Sequence, residues 1–241
     1  MRKPATNAER IITALDVENA DKALAIVRGL PAARIFKVGL ELFTAEGPPL
    51  LRDIKDLGKE VFLDLKLHDI PNTVGEAVRV AVRLGAAMMT VHASGGPEMM
   101  ARAAEVARAE AGTLGRATPI LLGVTVLTSL KAEDLAAVGM APDPAAQVRR
   151  LARLAKTAGL GGIVCSAQEI EIVREEVGPK MLIVTPGIRP AGAAAQDQKR
   201  IMTPRLAVEK GSDYLVIGRP ITRAPSPAEA FDLIVRELES A

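Results

Sequence analysis

Phe62-Leu-Asp-Leu-Lys-Leu-His-Asp-Ile-Pro-Asn-Thr73 joins the end of one structural element to the start of the next. Its first half reads as a buried strand that ends in charge. Asp64 and Lys66 are two apart, so on a regular strand both side chains point to the same side. Asp69 follows three residues later, where Pro71 and Asn72 signal a turn. Thr73-Val-Gly-Glu76 then fits a capping box at the start of a helix. Charged side chains are almost never buried unless paired. A strand that ends this way breaks a local folding rule, and such breaks fall at functional sites.

The same strand-then-helix unit recurs along the chain. Apolar, β-branched runs lie near Ile11–Val17, Arg34–Leu40, Val61–Lys66, Met88–Ala93, Ile120–Leu127, Gly162–Ser166, Met181–Thr185 and Tyr214–Gly218. They are short and nearly continuous in hydrophobicity, as parallel strands covered by helices are. Ser166-Ala-Gln-Glu169, Thr203-Pro204 and Ser226-Pro-Ala-Glu229 read as helix starts. Gly58, Gly85, Gly159, Gly178 and Gly211 read as helix stops, each just before a strand. Eight such units with right-handed crossovers predict an α/β fold, a single (β/α)8 TIM barrel. No Gly-x-Gly-x-x-Gly follows the first strand, which disfavours a dinucleotide-binding sheet. Residues 1–241 are expected to form one domain, with 1–9 as a loose tail.

Composition narrows the partners. The 241 residues carry 31 basic and 29 acidic groups, for a formal charge of +2. Aromatic residues make up 2% and Trp is absent. Neither an electrostatic footprint nor a stacking surface for nucleic acid follows from this, and no membrane association is expected. No apolar run approaches the roughly 18 residues that span a bilayer. The start, Met-Arg-Lys-Pro, lacks the apolar core of a signal peptide, so a cytoplasmic protein is expected. Cys165 is the single cysteine and reads as a buried strand thiol.

In such barrels the reactive groups sit at the C-terminal strand ends. Those positions hold Asp16, Lys37, Asp64 with Lys66 and then Asp69, His92, Thr125 and Thr128, Thr185-Pro-Gly-Ile-Arg-Pro190, and Gly218-Arg-Pro220. The seventh and eighth ends form the usual phosphate corner. There Gly187 and Gly218 let backbone amides approach an anion, and Arg189 or Arg219 adds a charge-assisted fork. The Ala- and Gly-rich segment Arg189–Arg200 suits a lid, with Gln198 placed to reach a ligand. His68 and His92 read as structural or peripheral, because no further soft ligand accompanies them. Asp16, Asp64 and Asp69 invite a hard cation such as Mg²⁺, but Lys37 and Lys66 already neutralise them, so no metal is expected.

Taken together, these residues resemble the orotidine 5′-phosphate decarboxylase family, in its bacterial-type branch. The resemblance rests on Ala14-Leu-Asp16, Phe36-Lys-Val-Gly39, Asp64-Leu-Lys-Leu-His-Asp-Ile-Pro-Asn-Thr73, Val91-His-Ala93, Leu127-Thr-Ser129, Thr185-Pro-Gly-Ile-Arg-Pro190, Asp197-Gln-Lys-Arg200 and Val216-Ile-Gly-Arg-Pro220. It implies a carboxy-lyase of uridine monophosphate biosynthesis that uses no cofactor. By that resemblance Lys66 is the proton donor, and Asp64 lies beside the substrate's leaving carboxylate. Lys37 and Asp69 complete an alternating charge network, with Asp69 supplied by the partner subunit of a homodimer. Asp16 and Lys37 hold the ribose, and Thr73 and Thr128 line the nucleotide site. Arg189, Gln198, Gly218 and Arg219 grip the phosphate. The family pattern often has Gly before Asp197-Gln198, where this chain has Gln196.

Three other readings fit parts of the pattern. One is a Mg²⁺-dependent barrel lyase or aldolase acting on a sugar phosphate. Another is a Schiff-base aldolase using Lys66, which flanking carboxylates disfavour by holding the amine protonated. The third is a non-catalytic binder of nucleotide phosphates.

Overall fold

The structure is a computed structural model that describes residues 3–190 and 202–239. Eight parallel strands close into a barrel: β1 Ile11–Ala14, β2 Ile35–Gly39, β3 Glu60–Leu67, β4 Met88–His92, β5 Ile120–Val124, β6 Gly162–Val164, β7 Leu182–Pro186 and β8 Tyr214–Ile217. Each strand pairs with the next in sequence, and β8 returns to β1 through Ile11↔Leu215 to Thr13↔Ile217. Each predicted strand is present, shortened at one or both ends in all but β3, which gains a residue at each end.

Two apolar layers account for the unbroken hydrophobicity of these strands. Ile12, Phe62, Met88, Leu122, Leu182 and Tyr214 fill the barrel interior. Ile11, Phe36, Val61, Leu215 and Ile217 point outward against the helices, where they meet Leu51, Met99 and Phe231. A strand buried on both faces has no polar side to alternate with. Gly162 marks the tightest point of the interior. A Cβ there would lie 2.7 Å from both Leu122 Cδ2 and the Leu182 carbonyl oxygen.

Helix starts follow the sequence in part. The helix Pro204–Glu209 is capped by Thr203, whose hydroxyl accepts from the Leu206 amide at 3.4 Å. At Ser166 the returning half of the box forms, with the Ser166 amide donating to Glu169 Oε2 at 3.0 Å. The expected box at Thr73 does not form. That helix begins two residues earlier, Pro71–Leu84, with Ile70 at the cap position and no side-chain cap. Pro71 takes the first helical position because its fixed φ suits it and its missing N–H has no partner to lose there. Glu76 turns instead to Arg79, at 3.0 Å.

The tail is also more ordered than expected. Asn7–Arg10 form a helix capped by Thr6. Lys3 pairs with Asp213 at 3.5 Å and Glu9 with Arg34 at 2.6 Å. Arg34 also forks onto Glu60 at 3.0 and 2.7 Å, which ties the segment to the N-terminal end of the barrel.

Candidate active site

At the opposite end, the strand termini bring four charges into a row. Lys37 Nζ donates to Asp16 Oδ1 at 3.1 Å and stands 3.7 Å from Asp64 Oδ2. Lys66 Nζ sits 2.9 Å from each oxygen of Asp64. Sign alternates along the row, so each inner charge is held by opposite neighbours. Asp64 is 9% exposed, and the Lys37 side chain is nearly as enclosed. Burial at this depth is tolerable for ions only because they are paired and hydrogen-bonded.

The backbone beneath this row is irregular. Between β3 and β4 the register runs Leu63↔Met89 and then Leu67↔Val91. Between these pairs three residues of β3, Asp64 to Lys66, face the single Thr90 of β4, and they form the bulge. Lys66 has φ 50°, the one non-glycine residue with positive φ among those described. The left-handed region costs an L-residue about 1–2 kcal/mol, and such strain collects at functional sites. The two-residue spacing thus brings Asp64 and Lys66 together through a bulge, not through a regular pleat. Thr90 on β4 fills the gap. Its hydroxyl accepts from the Lys66 amide at 2.9 Å and donates to Asp64 Oδ1 at 2.9 Å.

Two adjoining chambers open beside the row and share Lys37, Pro186 and Val216. One, of about 190 Å³, is lined by Asp64, Lys66, Thr128, Phe62, Val126 and Ser166. The other, of about 140 Å³, is lined by Asp16, Gly187, Arg189, Gly218 and Arg219. The first is mostly apolar with charge at one edge. The second joins two guanidinium-bearing residues to two glycines. A Cβ on Gly218 would come within 3.3 Å of both Ala14 Cβ and Asp16 Oδ2, so a side chain there would crowd the Asp16 carboxylate. A larger cavity, about 720 Å³, lies at the N-terminal end around Arg34, Glu60 and Tyr214. We do not place the chemistry there, because Arg34 is already committed to Glu9 and Glu60.

Asp16, Lys37, Asp64, Lys66, Thr128, Arg189, Gly218 and Arg219 thus come together as expected. Asp69 does not join them within this chain. It is exposed, accepts from the Ile70 amide at 2.7 Å, and makes no ion pair among the described residues. Thr73 is also exposed, on the first turn of its helix. Asp197 and Gln198, with the expected lid beyond Pro190, lie outside the described residues. Half-buried His92 stacks near His68, with ring centroids 5.4 Å apart. Burial, then His68 and Lys66, hold its pKa below the ordinary histidine value, against a smaller opposing pull from Asp64. Burial pushes the Cys165 thiol far up, so it stays protonated and unreactive. Ser166, expected only as a cap, has a buried hydroxyl without a partner among the described residues and lines the first chamber. Thr90 escaped the sequence reading altogether. Its signal was a lone hydroxyl inside the apolar run Met88-Met-Thr-Val91.

Known proteins share this architecture and sequence. The chain is 52% identical to orotidine 5′-phosphate decarboxylase of Vibrio atlanticus over 223 residues, covering 92% of this chain and 95% of that one. It is 51% identical to the enzyme of that name from Moorella thermoacetica, covering 96% and 92%. The crystal structure of orotidine 5′-phosphate decarboxylase from Lactobacillus acidophilus superposes with a TM-score of 0.85 at 38% identity, covering 95% and 99%. An uncharacterised conserved protein from Geobacillus kaustophilus superposes with a TM-score of 0.84. The family model matches residues 9–234, and the chain belongs to the orotidine 5′-phosphate decarboxylase / HUMPS family.

Proposed function

We infer that this chain converts orotidine 5′-monophosphate to uridine 5′-monophosphate and CO2. The observation that carries this is the alternating row Asp16–Lys37–Asp64–Lys66 at the edge of a small apolar chamber, in a chain about half identical to named decarboxylases. The bond from pyrimidine C6 to the carboxylate carbon breaks, and its electron pair stays on C6. A proton from the Lys66 ammonium then moves to C6, and the lysine regains one from solvent. The carbanion has little resonance help, so developing charge must be stabilised electrostatically. An ammonium about 4 Å from C6 contributes on the order of 4 kcal/mol at an effective dielectric near 20. Slow reactions demand about 20 kcal/mol or more of barrier reduction. Lys66 alone falls short, and a water-excluded, preorganised site with phosphate binding must supply the rest. Asp64 beside a substrate carboxylate adds ground-state repulsion that fades as CO2 leaves.

Asp16 and Lys37 are suited to the ribose hydroxyls, and Thr128 to the base. Arg189, Gly218 and Arg219 are suited to the phosphate, with Gln198 joining from the lid and Thr73 completing the nucleotide site. We read residues 1–241 as one catalytic domain working as a cytoplasmic homodimer in which Asp69 completes the partner's site. Support for the dimer is the exposed Asp69 beside Ile70, which is 65% exposed. No described helix is long and apolar enough to cross a membrane.

The test is loss of orotidine monophosphate absorbance with purified protein in the presence of EDTA. Turnover that persists under chelation is expected. Turnover of a sugar phosphate that EDTA abolishes, with none of the nucleotide, would overturn this reading in favour of a Mg²⁺-dependent lyase.

A further inference from the structure

We propose that Thr90 is a positioning residue of the reaction, one buried hydroxyl that fixes both the Asp64 carboxylate and the backbone that aims Lys66. The proposal deepens the decarboxylase reading and rests on it. Thr90 is 1% exposed and lines neither chamber, so it acts only through the residues it touches.

The bulge in β3 takes the Lys66 amide out of the ladder with β4. A buried amide without a partner is costly, and here the Thr90 oxygen accepts it at 2.9 Å. The hydroxyl has a single proton, and it goes to Asp64 Oδ1 at 2.9 Å. That same oxygen takes Lys66 Nζ at 2.9 Å, while Oδ2 takes Lys66 and faces Lys37. The carboxylate is therefore held from three directions, two of them by long, unbranched lysines on β2 and β3. Thr90, from β4, is the one whose χ1 is stiff by branching. Lys66 gains as well. Its left-handed backbone at φ 50° is anchored by the bond to Thr90, and the direction of its side chain follows from that backbone. A single oxygen thereby sets the spacing between the ammonium and the carboxylate on either side of the scissile bond.

Thr90→Val keeps the shape and removes both hydrogen bonds, while Thr90→Ser keeps them. We expect Thr90→Val to lower kcat roughly tenfold to a hundredfold, as loss of a hydrogen bond to a charged group implies. Its dissociation constant for uridine monophosphate should stay within about threefold of wild type, since the phosphate chamber is untouched. Thr90→Ser should recover most of kcat. An unchanged kcat in Thr90→Val overturns the proposal, as does equal impairment in Thr90→Ser or a parallel loss of product affinity. If Thr90→Val does not fold, Thr90→Ala decides the same way against Thr90→Ser. Wild-type protein that releases no CO2 overturns the functional reading, and this proposal with it. Active wild type beside an equally active Thr90→Val overturns this proposal alone.

Discussion

Thr13 is fully buried on β1, and its hydroxyl has no hydrogen-bond partner among the described residues. A buried hydroxyl in that state carries a desolvation penalty of about 1–3 kcal/mol. Thr13→Val conserves shape and removes the penalty, so the variant should gain about 1 kcal/mol or more. Urea unfolding monitored by circular dichroism measures this, and a lower midpoint than wild type would contradict it. His92 is a second residue whose surroundings fix a sign. Its folded pKa is depressed, chiefly by burial, so the unfolded chain binds the proton first as pH falls. The neutral imidazole costs nothing above about pH 6.5, the unfolded value. Below that, stability declines until pH passes the folded pKa. The carboxylates held low by arginines, Glu76 through Arg79 and Glu176 through Arg153, weaken the fold only in a lower, separate window. Melting temperatures between pH 7.5 and 5.5 should therefore fall in wild type and fall less in His92→Gln. Parallel slopes would show that His92 is not the responsible group.

Among the elements, what the chain order reveals depends on how many strands are needed to see it. Each strand was legible alone, because burial on both faces leaves a nearly unbroken apolar run. Asp16, Lys37, Asp64 and Lys66 were legible too, because charge at the end of such a run has no structural excuse. The bulge was not legible. It is a mismatch of register between β3 and β4, and no property of Asp64-Leu-Lys66 by itself encodes it. Thr90 escaped for the same reason, since its role exists only across the pair. The misplaced cap at Thr73 had a local cause: two start signals, Pro71 and the Thr73–Glu76 spacing, competed within three residues. Glycine in β6 has the same pairwise logic. Gly162 is small because Leu122 and Leu182 from the strands on either side occupy its place. Gly162→Ala should force those neighbours apart and cost about 1–3 kcal/mol. A denaturation midpoint equal to wild type would mean the barrel absorbs the methyl without strain.

On the scale of the whole molecule, the two ends of the barrel divide stability from chemistry. At the N-terminal end Arg34 and its two glutamates pair among themselves beside the larger cavity, whereas the C-terminal row faces two smaller chambers. That row lacks its last expected member. Asp69 lies three residues from Lys66 yet is exposed, and among the described residues it is bonded only to the next amide in the chain. If it serves the partner's site, each active centre draws Lys66 from one chain and Asp69 from the other. Complementation tests this directly. Lys66→Ala and Asp69→Ala homodimers should each be nearly inactive, since one lacks the proposed proton donor and the other the proposed partner charge. When subunits are mixed and exchanged at random, half the dimers are hybrids. In each hybrid one site pairs the intact Lys66 with the intact Asp69, and the other site lacks both. About one site in four is then native by symmetry, and mixed protein should recover activity toward a quarter of wild type. Were Asp69 to act within its own chain, no hybrid site would hold both residues, and mixing would restore nothing.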